Sequence, residues 1–142
     1  MPSLAALTLA DARFPGGGHV HSGGLEEAVA RGAVTGVADL APFLHGRLRT
    51  AGLVAAAFAA AAAADGAPFR RLDAELDART PSVAQREASR AQGRAALRAA
   101  RVAWPSSVLD DLVAAHPRPH HPLLVGAVVG IDGADQQRVV RP

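Results

Sequence analysis

Along this chain the larger apolar residues return every three or four positions, the spacing of one helix face, and no stretch alternates as a half-buried strand would. Residues 3–10 form a short apolar segment. Residues 22–31 carry Leu25, Ala28 and Val29 at helical spacing, with Glu26 and Glu27 in the first turn, Ser22 as N-cap and Gly32 as the stop. The longest candidate helix spans 36–64, with Val37, Leu40, Leu44, Leu48 and Phe58 as its larger apolar side chains. Thr35 or Asp39 caps its start, Pro42 falls near the first turn, where proline is tolerated, and Asp65-Gly66 ends it. A helix from Pro68 to about Arg79 puts Phe69, Leu72 and Leu76 on one side. Another runs from 82 to about 103, and a short one after Pro105 repeats Val108, Leu109, Leu112 and Val113. The pattern predicts an all-α fold, a single domain of about six or seven helices.

Three stretches break the pattern. Residues 11–26, D-A-R-F-P-G-G-G-H-V-H-S-G-G-L-E, place five glycines, a proline, two histidines and a serine between apolar segments, more than a turn requires. The run His116-Pro-Arg-Pro-His-His-Pro122 is predicted non-helical, because its prolines remove donors and push the preceding residues extended. Apolar sequence resumes over Leu123–Val129. The last twelve residues, 131–142, show neither helical face nor cap and read as a disordered tail. Because the apolar segment 123–129 stops abruptly, the chain reads as cut short.

Composition narrows this further. A chain of 142 residues is enough for one modest core, and much of its apolar content is alanine, which favours helix but buries little area. There is no cysteine, which excludes disulfides, thiolate metal sites and a cysteine nucleophile and suits a cytoplasmic protein. All fifteen basic side chains are arginine, yet the formal net charge is only +2, too little to argue for nucleic acid or an anionic membrane. No targeting segment is evident. The longest apolar run, from Gly52 to Ala64, is too short and too alanine-rich to span a bilayer.

Candidate chemistry is sparse. Arg86, Arg90, Arg94, Arg98 and Arg101 share one helical sector, with Ala88, Ala91, Ala95, Ala99 and Val102 opposite. Such a face could grip an acidic partner or a phosphate backbone, but no aromatic residues interleave, and a solvated outer face explains it more simply. His19 and His21 form an H-x-H pair, and His116, His120 and His121 follow later; they are weak metal candidates, since no H-E-x-x-H helix accompanies them. Ser22 lacks the glycine frame and the strand of a nucleophile elbow, and N-capping accounts for it. No G-K-[ST] follows Gly16-Gly17-Gly18, which excludes a Walker loop. The junction is left as a recognition surface, where glycines let backbones approach closely.

Three patches carry a family resemblance. The string Asp11-x-Arg-Phe14-Pro15-x-Gly17-Gly-His19-x-His-Ser22-x-Gly24-Leu25-Glu26 resembles the N-terminal signature of the UreF family of urease accessory proteins, in its two-histidine actinobacterial form. Arg86-Glu87-x-Ser89-x-x-Gln92-Gly93-Arg94 is similar to the family's mid-chain helix motif, and His120-His121-Pro-x-x-x-Gly126 to the point where its helical core resumes. The patches keep the family's order and cover residues from about 5 to 130, so residues 1–130 are expected to form a UreF-like domain lacking its C-terminal helices, and 131–142 a non-family tail.

The resemblance implies a non-enzymatic maturation chaperone that forms a homodimer, binds UreD (UreH in some organisms) and recruits the GTPase UreG. That complex delivers nickel into apo-urease; the chain itself has no cofactor, and nickel is handled by the complex. Partner contact is expected at Asp11, Phe14, Pro15, Gly17, His19, Ser22, Gly24, Glu26, Arg90 and Arg94. A small Arg-rich nucleic-acid-binding protein and a His-loop metal carrier are the alternatives.

Overall fold

The computed structural model describes residues 3–11, 13–18 and 21–140. All regular structure among them is helical: α1 (Leu4–Ala10), α2 (Leu25–Ala30), α3 (Leu40–Arg47), α4 (Leu53–Ala62), α5 (Phe69–Ala78), α6 (Val83–Ala103), α7 (Ser107–Ala115) and α8 (His121–Val140). A 3-10 turn, Val37–Asp39, leads into α3, and a π turn, Leu48–Gly52, joins α3 to α4, so 37–62 is one helical run. Counted that way the described residues make seven rods, within the predicted number. No helix among them is long and apolar enough to cross a membrane.

Local chemistry sets the helix ends. The Ser3, Ser82 and Ser106 hydroxyls accept the N–H groups of Ala6, Gln85 and Val108 at the starts of α1, α6 and α7. Asp39 reaches back to the N–H groups of Thr35 and Gly36 and to the Thr35 hydroxyl, closing the turn before α3. Beyond α2 the Ala33 N–H returns to the Ala28 carbonyl, a wrap that ends the helix around Gly32 as predicted.

Helix α8 is the axis of the molecule. It packs against α1, α4, α5, α6 and α7, and Leu123, Leu124, Ala127 and Val128 are almost wholly buried on it. Each such leucine or valine contributes about 1.5–3 kcal/mol of transfer free energy. Leu109 and Leu112 of α7, Phe69 and Leu76 of α5, and Ala96, Leu97 and Ala100 of α6 complete the core. The α4–α8 crossing is made by absence of side chains. A methyl group at Gly126 would overlap the Ala59 carbonyl oxygen, and one at Gly130 would stand 2.6 Å from that of Ala63. Two glycines four residues apart therefore let α8 lie directly on the alanine backbone of α4.

Two expectations are corrected. Segment 131–142 is not a disordered tail as far as Val140: α8 runs through it, with Ile131 in the core and Asp132 reaching the Ala5 N–H at 3.5 Å. The buried face of α6 is not Ala88, Ala91, Ala95, Ala99 and Val102 but Arg90, Gly93, Ala96, Leu97 and Ala100, while Val102 is 84% exposed. The smallest residues turn inward there because the backbone around Pro119 presses against α6; a methyl at Gly93 would collide with the Pro119 carbonyl. Val37, Leu44, Leu48 and Leu53 lie on the outside, and α3 packs chiefly on its own chain neighbours. The π turn inserts one residue and keeps Leu53 in line after Leu48.

The crossing gives a direct test. Gly126→Ala is expected to lower the unfolding free energy by about 1–3 kcal/mol through overpacking. Gly133→Ala on the same helix, where an added methyl meets nothing within 4 Å, should raise it by about 0.5–1 kcal/mol. Urea unfolding of the two variants reads both signs.

Candidate functional site

The densest polar constellation lies where α5, α6 and the start of α8 meet. Asp73 and Asp77 stand four residues apart on α5, so both carboxylates share one face. Arg90 of α6 inserts between them. Its Nη1 and Nη2 donate to Asp73 Oδ1 and Oδ2 at 3.3 and 3.0 Å, and Nη2 also donates to Asp77 Oδ1 at 2.8 Å. Nη1 further donates to the Arg118 carbonyl at 2.8 Å and faces His116 Nδ1 at 3.2 Å. Asp73, Arg90 and His120 are 6%, 8% and 0% exposed, and a buried cation is tolerable only with such partners. Among the described residues no buried side-chain polar atom lacks a hydrogen-bond partner.

His120 extends the network to the helix end. Its Nε2 lies 2.9 Å from Asp77 Oδ1 and its Nδ1 3.0 Å from Ser89 Oγ. A carboxylate only accepts, so Nε2 carries the proton and Nδ1 takes the serine hydroxyl's. The His120 N–H donates to Asp73 Oδ1 and the His121 N–H to Ser89 Oγ, which caps α8 from two neighbouring helices. Pro122 follows in the first turn, where no N–H is needed. The two carboxylates also sit at the positive end of the α8 dipole. Burial pushes the His120 imidazole below its ordinary range, against the pull of the Asp77 hydrogen bond. At Asp77 burial opposes ionisation, but hydrogen bonds from His120 and Arg90 outweigh it and hold the carboxyl below its usual value.

Ser89, His120 and Asp77 have the connectivity of a hydrolase triad but not its chemistry. The imidazole is fully buried, and the serine oxygen is committed to the His121 N–H. The chain of bonds holds a helix end. Among the described residues no group of three or more His, Asp or Glu side chains could hold a metal ion.

The glycine-rich junction is a different place. Asp11 ends α1 and binds the Arg13 side chain through both oxygens. Phe14 packs against Trp104, ring centroids 6.2 Å apart, and Gly16 sits 3.5 Å, at its would-be methyl, from Ala96 of α6. Pro15 is exposed. Gly17 and Gly24 hold φ of 71° and 98°, left-handed values that favour glycine. Gly24, not the expected Ser22, is the N-cap of α2, and the Ser22 hydroxyl two residues earlier accepts the Glu26 N–H at 3.1 Å. His21 is exposed, with Nδ1 accepting the Gly23 N–H. His19 lies outside the described residues.

The structure thus gathers Phe14, Gly17, Ser22, Gly24 and Glu26 into the junction and sends Arg90 elsewhere. Arg90 is no partner-facing residue, because two carboxylates take it inside. The basic stripe dissolves with it: Arg86 donates to the Thr80 and Pro81 carbonyls, and Arg101 pairs with Asp110. Arg94 and Arg98 stay exposed with no ion pair among the described residues. Asp73 and Asp77 are the residues that sequence reasoning passed over, while Ser89 entered only as part of the mid-chain motif. Their signal is two aspartates four apart beside the apolar face of α5.

Fold and site together define an all-helical scaffold whose buried polar groups join helices. The chain belongs to the UreF family, whose family model matches residues 34–141, across the segment expected to lie outside it. It is 51% identical over 134 residues to the urease accessory protein UreF of Mycobacterium tuberculosis H37Rv, covering 94% of this chain and 62% of that protein. The UreF of Mycobacterium marinum is 49% identical over 139 residues, with the same coverage. That of Mycobacterium sp. JLS is 51% identical over 127 residues, covering 89% and 59%. The chain therefore spans less than two thirds of the length of these relatives. No solved structure matches it significantly.

The ion cluster predicts unequal arginines. Arg90→Ala should lower the unfolding free energy by about 3–5 kcal/mol, since it strands buried carboxylates. Arg94→Ala on the same helix should change it by no more than about 0.5 kcal/mol. Chemical denaturation of both variants checks the contrast.

Proposed function

We propose that this chain is an adaptor in urease maturation, working by binding rather than by catalysis. The observation that carries this reading is identity of about half the residues, across 94% of the chain, to proteins named urease accessory protein UreF. In that reading it joins UreD (or UreH) and UreG as a homodimer in the cytoplasm, and the complex delivers nickel to apo-urease in a GTP-dependent step. Nickel is cargo of the complex, and the chain needs no cofactor of its own.

The geometry supports an adaptor. The titratable groups of the α5–α6–α8 cluster are tied to one another, so they fix shape. The exposed residues of the junction, Pro15, Ser22, Gly24 and Glu26, together with Arg94 on α6, are the partner-facing set in this proposal. The apolar row Val37, Leu44, Leu48 and Leu53 adds exposed surface of the kind that protein interfaces bury.

Tagged chain expressed with UreD and UreG is expected to retain both through affinity purification and size exclusion. Failure to retain either at micromolar concentration, with the chain shown folded by circular dichroism, removes the adaptor role. Glu26→Arg is expected to weaken retention without shifting the melting temperature.

A further inference from the structure

We propose that the 116–121 turn is an acid-released latch: protonating the histidine Nδ1 atoms that accept hydrogen bonds there frees the start of α8 from α5 and α6. This inference is independent of the adaptor reading, because it rests on donors and acceptors within the chain.

At His116, Nδ1 accepts the Arg118 N–H at 3.0 Å and faces Arg90 Nη1 at 3.2 Å. Both neighbours are donors only, so a proton on Nδ1 sets donor against donor at two contacts. At His120, Nδ1 accepts from Ser89, while Nε2–H donates to Asp77. A proton on this Nδ1 makes Ser89 Oγ accept from both His120 and the His121 N–H, and the serine hydrogen loses its partner. Three of the contacts that hold the turn thus depend on unprotonated imidazole nitrogens.

The charges around the turn can be followed element by element. From α5, Asp73 and Asp77 face His120 and favour an imidazolium; from α6, Arg90 opposes it. Glu87 of α6 pairs with Arg118 of the turn itself. On α8, His121 is depressed by burial and by His21 of the junction, so a further cation is resisted there too. Burial outweighs the pull of the two carboxylates, so a proton added to His120 is resisted and leaves a broken donor pattern.

The sign follows from the same contacts. The folded His120 binds its proton more weakly than an unfolded histidine of value 6.5. Its contribution to stability is therefore full above about pH 6.5 and is lost as pH falls from there through the lowered folded value. The Asp77 carboxylate, held below 3.8, loses its contribution only at much lower pH. Between the two windows the turn opens while the ion pair of Arg90 persists, and Leu123 and Leu124 at the head of α8 become reachable by water.

Amide hydrogen exchange of the chain, corrected for intrinsic rates, tests this between about pH 7.5 and about pH 5.5. Protection over 116–124 is expected to fall about tenfold before Ala127 and Val128 respond. His116→Asn, whose amide oxygen accepts but cannot be protonated, should reduce that fall. Loss of protection at 116–124 no earlier than along the rest of α8 overturns the proposal. So does a wild-type pH response in both His116→Asn and His120→Asn. Where His120→Asn does not fold, NMR titration of the imidazoles in the unmodified chain decides: opening while His116 and His120 stay neutral sinks the idea.

Discussion

The architecture depends on bringing one buried arginine between two aspartates at the head of the central helix. Arg90 alone would be a costly charge in the interior, and Asp73 would be another. Together they satisfy one another in a forked arrangement, and the remaining guanidinium hydrogens tie down the 116–120 turn. The same carboxylates then complete the α8 N-terminus, through the His120 N–H and ring. Without that cluster the turn has no anchor on α5, and α8 would enter the core at an unspecified angle. Apolar burial supplies the driving force for packing, while the cluster selects which packing is adopted.

A second constraint acts further along α8. Hydrophobic side chains mark depth but tolerate sliding, whereas Gly126 and Gly130 fix the axial position of α8 against α4 through direct backbone approach. Gly93 does the same for α6 against the Pro119 backbone. Alanine-rich helices fit this scheme, because thin helices approach closely and gain contact density in place of buried area. The scarcity of large aromatics is then consistent with the fold: Phe14 and Trp104 pair near the junction, and Phe58 lies under the Arg79 guanidinium.

Helical periodicity made the fold class legible, along with the boundaries of α5, α6 and α7. It misplaced the buried face of α6 because alanine carries little directional signal: Ala88, Ala91, Ala95 and Ala99 resemble Ala96 and Ala100 in sequence, and only the approach of Pro119 to Gly93 decides between them. The arginine spacing misled for a related reason. Four-residue periodicity says that Arg86, Arg90, Arg94 and Arg98 share a sector, but not that one of them meets two carboxylates from another helix. Segment 131–140 looked structureless because the largely polar run 132–138 separates the apolar start of α8 from Val139 and Val140, so no single face persists. The same limit applies to the larger apolar residues of 36–64, since period reports a helix face and not what covers it.

Of the three patches that carry the family resemblance, the second and third supply residues that build the joints of this fold. Ser89, Gly93, His120, His121 and Gly126 cap α8, admit the Pro119 backbone or seat the α4 crossing. A motif of that kind identifies a fold by its joints, not by its reactive groups. It follows that function has to be sought where the joints are not: on the junction, whose loop is built on the far half of α6 through Phe14 and Gly16, and on the uncovered row of α3 and α4. Both surfaces hang from α6 and α8. A change at the Arg90 cluster that tilts these helices therefore reaches the surfaces without touching them, through the rigidity of close-packed backbones.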